Sequence, residues 1–157
     1  MDARVTAPPE AAHAKIAELY RYWRSIAPGD GLLPGRRHLD PIDIPALLAN
    51  VWLLDVVGHP PRFRFRLIGD APRRLGIAAK RGEFVDKYNA ESDAPVQDMH
   101  FAVRERSPVW FRGRAYFPMD AQIGELERLI LPLAADGSLV DMLLGITMFY
   151  RLDGREA

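Results

Sequence analysis

GELERLILPLAADGSLVDMLLGITMFYRL, residues 124–152, holds the two longest strand patterns of the chain, separated by Asp136-Gly137-Ser138. Turn residues between two apolar, β-branched runs predict a hairpin of GELERLILPLA (124–134) with LVDMLLGITMFYRL (139–152). In the second strand Val140, Met142, Leu144, Ile146 and Met148 share one face, while Leu143 and Phe149 point to the other, so both faces need cover. Just upstream, PVWFRGRAYFP (108–118) reads as a further strand, with the turn at Asp120 to Ile123. The last third of the chain is therefore three consecutive antiparallel strands.

Two more strands lie earlier. VWLLDVV (51–57) and RFRFRLI (62–68) flank a His59-Pro60-Pro61 turn and predict a second hairpin. Between the hairpins the chain is broken by Gly76 and Gly82, with short helical stretches at Ala71 to Leu75 and Phe84 to Tyr88. A longer helix falls within Ser92 to Arg106, where Val96, Met99, His100 and Val103 share a face before Ser107 and Pro108 stop it. Ahead of the first hairpin, Ile16, Leu19, Tyr20 and Trp23 recur at helical spacing and predict an amphipathic helix over residues 11–27, ended by Pro28 and Gly29. Asp43 is placed to cap a short helix over Ile44 to Ala49. Residues 1–10 read as a disordered lead-in, 28–152 as the domain, and 153–157 as a tail. Consecutive hairpins with helices between them define an α+β domain, its helices packed on one face of an antiparallel sheet.

Composition narrows the function. The chain has 157 residues, 21 basic and 21 acidic side chains, and no cysteine. Disulfides, thiolate metal sites, cysteine nucleophiles and cysteine-adduct photochemistry are excluded. Zero formal charge argues against a dedicated nucleic-acid binder. The amino-terminal stretch lacks the apolar core of a signal peptide, and no apolar run reaches the ~18 residues of a membrane span, so a cytoplasmic protein with no membrane partner is expected.

Trp23, LPGRRHLDPIDIPALLANVWLLDVV (33–57), RFRFRLIG (62–69) and ERLILPLAADGSLVDMLLG (127–145) together resemble the short stand-alone bacterial proteins of the PAS (Per-Arnt-Sim) superfamily. The resemblance spans roughly residues 16 to 150, and LPGRRHLDPIDIPALL is its most specific part. It implies a five-stranded antiparallel sheet with helices on one face and a flanking N-terminal helix that often mediates pairing. It also implies a sensory or signalling module that binds small ligands or proteins and does not usually catalyse. Nothing past Leu152 could hold a kinase, cyclase or DNA-binding output domain, so a signal is expected to pass to a protein partner in trans.

Within that frame a pocket is expected between sheet and helices. Helix and strand position assign Phe65, Leu67, Met99, His100, Val103, Leu131 and Met142 to its lining, with most of the wall apolar and a few polar groups fixing orientation. The cofactor is left open. His100 lies where superfamily members that bind haem carry their iron ligand, although a lone histidine on an apolar face is more often a hydrogen-bonded, partly buried residue. The competing reading is a fold filled by its own side chains that binds only proteins.

The remaining polar clusters read as structural. Arg36, Arg37, His38 and Asp40 could bind an anion or partner, but Asp40 before Pro41 is suited to organising a turn while an arginine ties the loop to the sheet. In RFRFRLI the arginines Arg62, Arg64 and Arg66 alternate with Phe63, Phe65 and Leu67, so charge and aromatics fall on opposite faces, unlike a single-strand nucleic-acid platform. Trp110, Arg112, Arg114 and Tyr116 do share a face, which keeps nucleic acid as a lesser alternative. His13, His38, His59 and His100 show no paired-ligand spacing, and Ser25, Ser92, Ser107 and Ser138 sit in no nucleophile elbow. Glu125 and Glu127 are expected to meet the arginine-rich strand across the sheet. The Ile16, Leu19, Tyr20, Trp23 stripe is too short to be stable alone and must dock, on its own sheet or a partner's, over residues such as Trp52 or Trp110. A homodimer through this helix is expected.

Overall fold

The computed structural model describes residues 4–88, 94–115 and 119–157. Five strands form one antiparallel sheet: β1 (Val51–Val57), β2 (Arg62–Ile68), β3 (Val109–Arg114), β4 (Ile123–Leu133) and β5 (Met142–Arg151), in the spatial order β2-β1-β5-β4-β3. The expected α+β architecture is therefore present. β4 and β5, the longest strands, pair through ten register positions, from Ile123↔Arg151 to Leu133↔Met142. Between them Asp136 Oδ1 accepts the Ser138 and Leu139 amides at 2.9 and 2.8 Å, and Gly137 takes the left-handed conformation the turn requires. These two bonds to the ionised form hold the Asp136 carboxyl below its ordinary pKa.

The sheet has two covered faces. One carries Trp52 and Leu54 of β1, Thr147 and Phe149 of β5, and Leu126 and Arg128 of β4, and lies beneath α2 (Asp70–Arg74), the 3-10 turn Val85–Tyr88 and α3 (Ala94–Glu105). The opposite face carries Leu129, Leu131 and Leu133 of β4 with Leu144, Ile146 and Met148 of β5, all buried. It is covered by α1 (Ala14–Ser25), which packs on β4 and β5 of its own chain. Ile16 and Leu19 have no exposed surface there. Burial of such a side chain contributes about 1.5–3 kcal/mol, which a 12-residue helix needs in order to stay formed. Trp23 adds a hydrogen bond from Nε1 to the Pro132 carbonyl at 2.9 Å. The docking site includes Trp110 but not Trp52, which the strand pleat turns to the opposite face.

Several local expectations are corrected. Residues 4–10 are tied down at their start: Val5 bridges to Trp110 at the free edge of β3, and Arg4 pairs with Asp98 of α3 at 2.8 Å. The short helix after Asp43 is a 3-10 segment, Pro45–Asn50, with no side-chain cap; Asp43 instead accepts a hydrogen bond from Tyr22 at 2.9 Å. Residues 153–157 fold back so that Ala157 donates to the Phe149 carbonyl at 2.9 Å. The ends expected at Ser92 for α3 and beyond Ala115 for β3 lie outside the described residues.

Candidate functional site

Between the inner face of the sheet and the helices lies a partly open cavity of about 60 Å³. Its floor is the sheet: Trp52 and Leu54 from β1, Phe65 and Ile68 from β2, Leu126 and Arg128 from β4, Thr147 and Phe149 from β5. Its roof is the helical crossing, through Pro72 of α2, Ile77, and Pro95 and Met99 of α3. The wall is apolar except at Trp52, Arg128 and Thr147.

Those three side chains are linked by the strand register. Arg128 and Thr147 face each other across β4 and β5, which places them side by side on the inner face. Trp52 Nε1 donates to Thr147 Oγ1 at 2.9 Å. The Trp52 ring lies directly over Gly145, its register partner on β5: a Cβ there would come within 2.0 Å of the ring. Asn50, also buried, donates to the Thr147 carbonyl at 2.9 Å and holds the start of β1 to the same point on β5.

Arg128 is the unusual member. Its side chain is 7% exposed, and burial pushes the guanidinium pKa down from its ordinary value while Asp98 pushes it back up. Nη2 pairs with Asp98 Oδ2 at 2.8 Å, and the guanidinium stacks 5.0 Å from the Phe111 ring centroid. Nε–H has no protein acceptor among the described residues. The other Asp98 oxygen takes Arg4 Nε.

The expected pocket residues divide between sites. Phe65 and Met99 line the cavity. His100 and Val103 do not. They face a wider surface depression of about 500 Å³ with His59, Leu139 and Asp141, and the His100 ring meets Phe63 edge-on at 4.9 Å. The iron-ligand candidate His100 therefore lies outside the cavity beneath the helical crossing. Leu67, Leu131 and Met142 lie on the other face of the sheet. Leu131 and Met142 are there by simple alternation along β4 and β5. Leu67 is there because a bulge in β2 puts Leu53 opposite Leu67 but Leu54 opposite Phe65; this turns Leu67 outward, 46% exposed, and brings Ile68 into the cavity. Arg128 and Thr147 were missed, although each is the only polar side chain among its same-face neighbours: Leu126 and Ile130 for one, Gly145 and Phe149 for the other.

The other polar clusters serve the fold. Arg37 Nη1 donates to the Ala135 carbonyl at 2.6 Å and ties its loop to the β4–β5 turn, while Asp40 accepts the Ile42 amide at 3.0 Å. Arg64 and Arg66 both pair with Asp55, and Arg62 with Asp86. Phe63 and Phe65 are buried, so no aromatic of β2 is open to a base. Glu125 meets Arg112 of β3, not the β2 arginines. Glu127 is fully buried on the outer face, where it accepts Trp110 Nε1 and Tyr150 OH, each at 2.8 Å, and the His13 amide at the start of α1 at 3.1 Å. Tyr116 lies outside the described residues. Among the described residues no group of three or more His, Asp or Glu side chains could hold a metal ion, and no helix is long and apolar enough to cross a membrane.

The geometry thus combines a five-stranded antiparallel sheet, a helical crossing over one face and a small cavity between them. Comparison with curated proteins and with solved structures gives no match. A family model described as PAS domain matches residues 11–148, from the start of the α1 region to within three residues of the end of β5. The chain belongs to the PAS domain family, whose members are in general sensory or signalling modules and typically not catalysts.

Proposed function

We propose that this PAS domain is a sensor that holds a small molecule in the cavity between sheet and helices and passes the resulting signal to a protein partner in trans. The observation that carries the reading is the cavity itself. Its walls come from both layers, so an occupant would contact the sheet and the helical crossing together, and its lining is apolar with a few clustered polar groups, as expected of a ligand site. Such an occupant could bias the position of α3 relative to the sheet, provided that its affinity differs between two arrangements.

A second reading is favoured by the cavity's size. At about 60 Å³ most of the interior is filled by the chain's own side chains, as in a module that only binds proteins, including a second copy of itself. Ile16, Leu19, Tyr20 and Trp23 are the residues a homodimer through α1 would use, with α1 of one copy on the outer face of the other. Because Ile16 and Leu19 are fully buried within the chain, such a pair requires exchange of α1.

Native mass spectrometry of the purified chain, with methyl NMR of Met99 during titration with small neutral and charged fragments, separates the two. A co-purifying ligand, or a saturable Met99 shift, supports the sensor. Bare mass with no Met99 response to any fragment overturns it in favour of the interaction module.

A further inference from the structure

Resting on the reading of the cavity as a ligand site, we propose that its occupant is a short-chain monocarboxylate, bound with its carboxylate against Arg128 Nε and Thr147 Oγ1 and its hydrocarbon end among Phe65, Met99 and Phe149.

The polar part of the wall offers donors without acceptors. Thr147 Oγ1 already accepts the Trp52 indole N–H, and the hydroxyl's own proton has no hydrogen-bond acceptor among the described residues. Indole is a donor only, and the Arg128 Nε–H is buried with no protein acceptor among the described residues. Arg128 and Thr147 are register partners, so these two donors belong to adjacent side chains. A carboxylate, with two acceptor oxygens, satisfies both; a cation or a donor-only ligand satisfies neither.

Charge points the same way. Arg4, Asp98 and Arg128 form a network of two guanidinium groups and one carboxylate, and both oxygens of Asp98 are committed, one to each arginine. The network carries a formal excess of one positive charge, and Arg128 bears its share in the interior, where a guanidinium does not deprotonate. The pairing with Asp98 leaves the buried guanidinium's Nε–H without an acceptor, and an anion in the cavity would offer it a charge-assisted one. Glu127, the acid next in sequence, lies on the other face and is occupied by Trp110, Tyr150 and the His13 amide.

Size sets the class. A volume of about 60 Å³ exceeds the ~10–15 Å³ needed for one water and is well below the ~150 Å³ that admits benzene with its six heavy atoms, so acetate or propionate, with two or three carbons, suits it better than butyrate. The apolar remainder of the wall favours a plain alkyl chain over a hydroxy or dicarboxylic acid, whose second polar group would find no partner.

The test compares acetate, propionate and butyrate with acetamide, propionamide and butyramide, which keep the shape and remove the charge. Binding to the full chain is followed by Met99 methyl shifts and calorimetry, which separate the cavity from surface arginines. At least one acid should bind more than about tenfold tighter than its amide, because charge-assisted hydrogen bonds are about twice as strong as neutral ones. Arg128→Gln should abolish that preference. Equal affinity for acid and amide overturns the carboxylate assignment while leaving the cavity as a ligand site. No Met99 response to either series overturns both. The comparison on the native chain stands alone if Arg128→Gln does not fold.

Discussion

Gly145→Ala is expected to be among the most damaging single-methyl additions to this protein. The new Cβ would lie 2.0, 2.2 and 2.3 Å from Cζ2, Cε2 and Cη2 of Trp52, whereas ordinary contacts begin near 3.4 Å. The indole is 6% exposed and anchored through Nε1 to Thr147, so it cannot simply swing into water. It must shift by more than about 1 Å, and the direction away from β5 leads into the cavity it lines. Overpacking costs about 1–3 kcal/mol, and an indole N–H stranded from Thr147 costs about 1–3 kcal/mol more. Removing a strand glycine returns about 0.5–1 kcal/mol. The net loss is then near 3 kcal/mol, a fall in Tm of about 6–12 °C for a domain of this size. Urea unfolding of Gly145→Ala, Trp52→Phe and the double variant measures the coupling. Phenylalanine lacks the clashing ring atoms, so in that background Gly145→Ala should cost under about 1 kcal/mol. A Gly145→Ala protein within about 0.5 kcal/mol of wild type would refute the ring-on-glycine packing and the cavity wall built from it.

Leu19→Ala removes a fully buried contact of α1 and should cost about 2–5 kcal/mol by chemical denaturation, with faster amide exchange along α1 than along α3; uniform exchange would show that α1 does not loosen as a unit. Tyr150 should ionise only at strongly alkaline pH, because burial and its hydrogen bond to Glu127 push the phenol up to about 12. Its folded pKa lies above the unfolded value near 10, so its stabilising contribution is present below pH 10 and is lost as pH rises through about 12. The difference in tyrosinate absorbance between wild type and Tyr150→Phe checks this, and a difference titration centred near pH 10 would refute it.

The two hairpins, the amphipathic helix and the central helix were legible because each has a single dominant period bounded by turn residues. The cavity was only half legible. Phe65 and Met99 follow from alternation and helical spacing, but period-two reading identifies two faces of a strand without saying which one meets the helices. Met142, Leu144, Ile146 and Met148 look like the core face of β5 because they are apolar. The other face receives the cavity, and its Gly145 and Thr147 are small or polar because the Trp52 ring lies on one and bonds the other. The bulge in β2 is likewise hidden, since RFRFRLI alternates without interruption until pairing with β1 displaces Arg66. The lone arginine in LERLI was the available signal: a charge set between Leu126 and Ile130 must either be paired in the interior or be used there.

Glu127 and Arg128 are consecutive, and the pleat sends them to opposite faces of the sheet. One gathers the start of α1, Trp110 and Tyr150; the other reaches Asp98 and, through it, Arg4 ahead of α1. The N-terminal segment is therefore clasped at two points, before and at the head of its helix, by neighbouring residues of a central strand. Any displacement of β4 at that one dipeptide would therefore disturb both attachments of the N-terminal segment together.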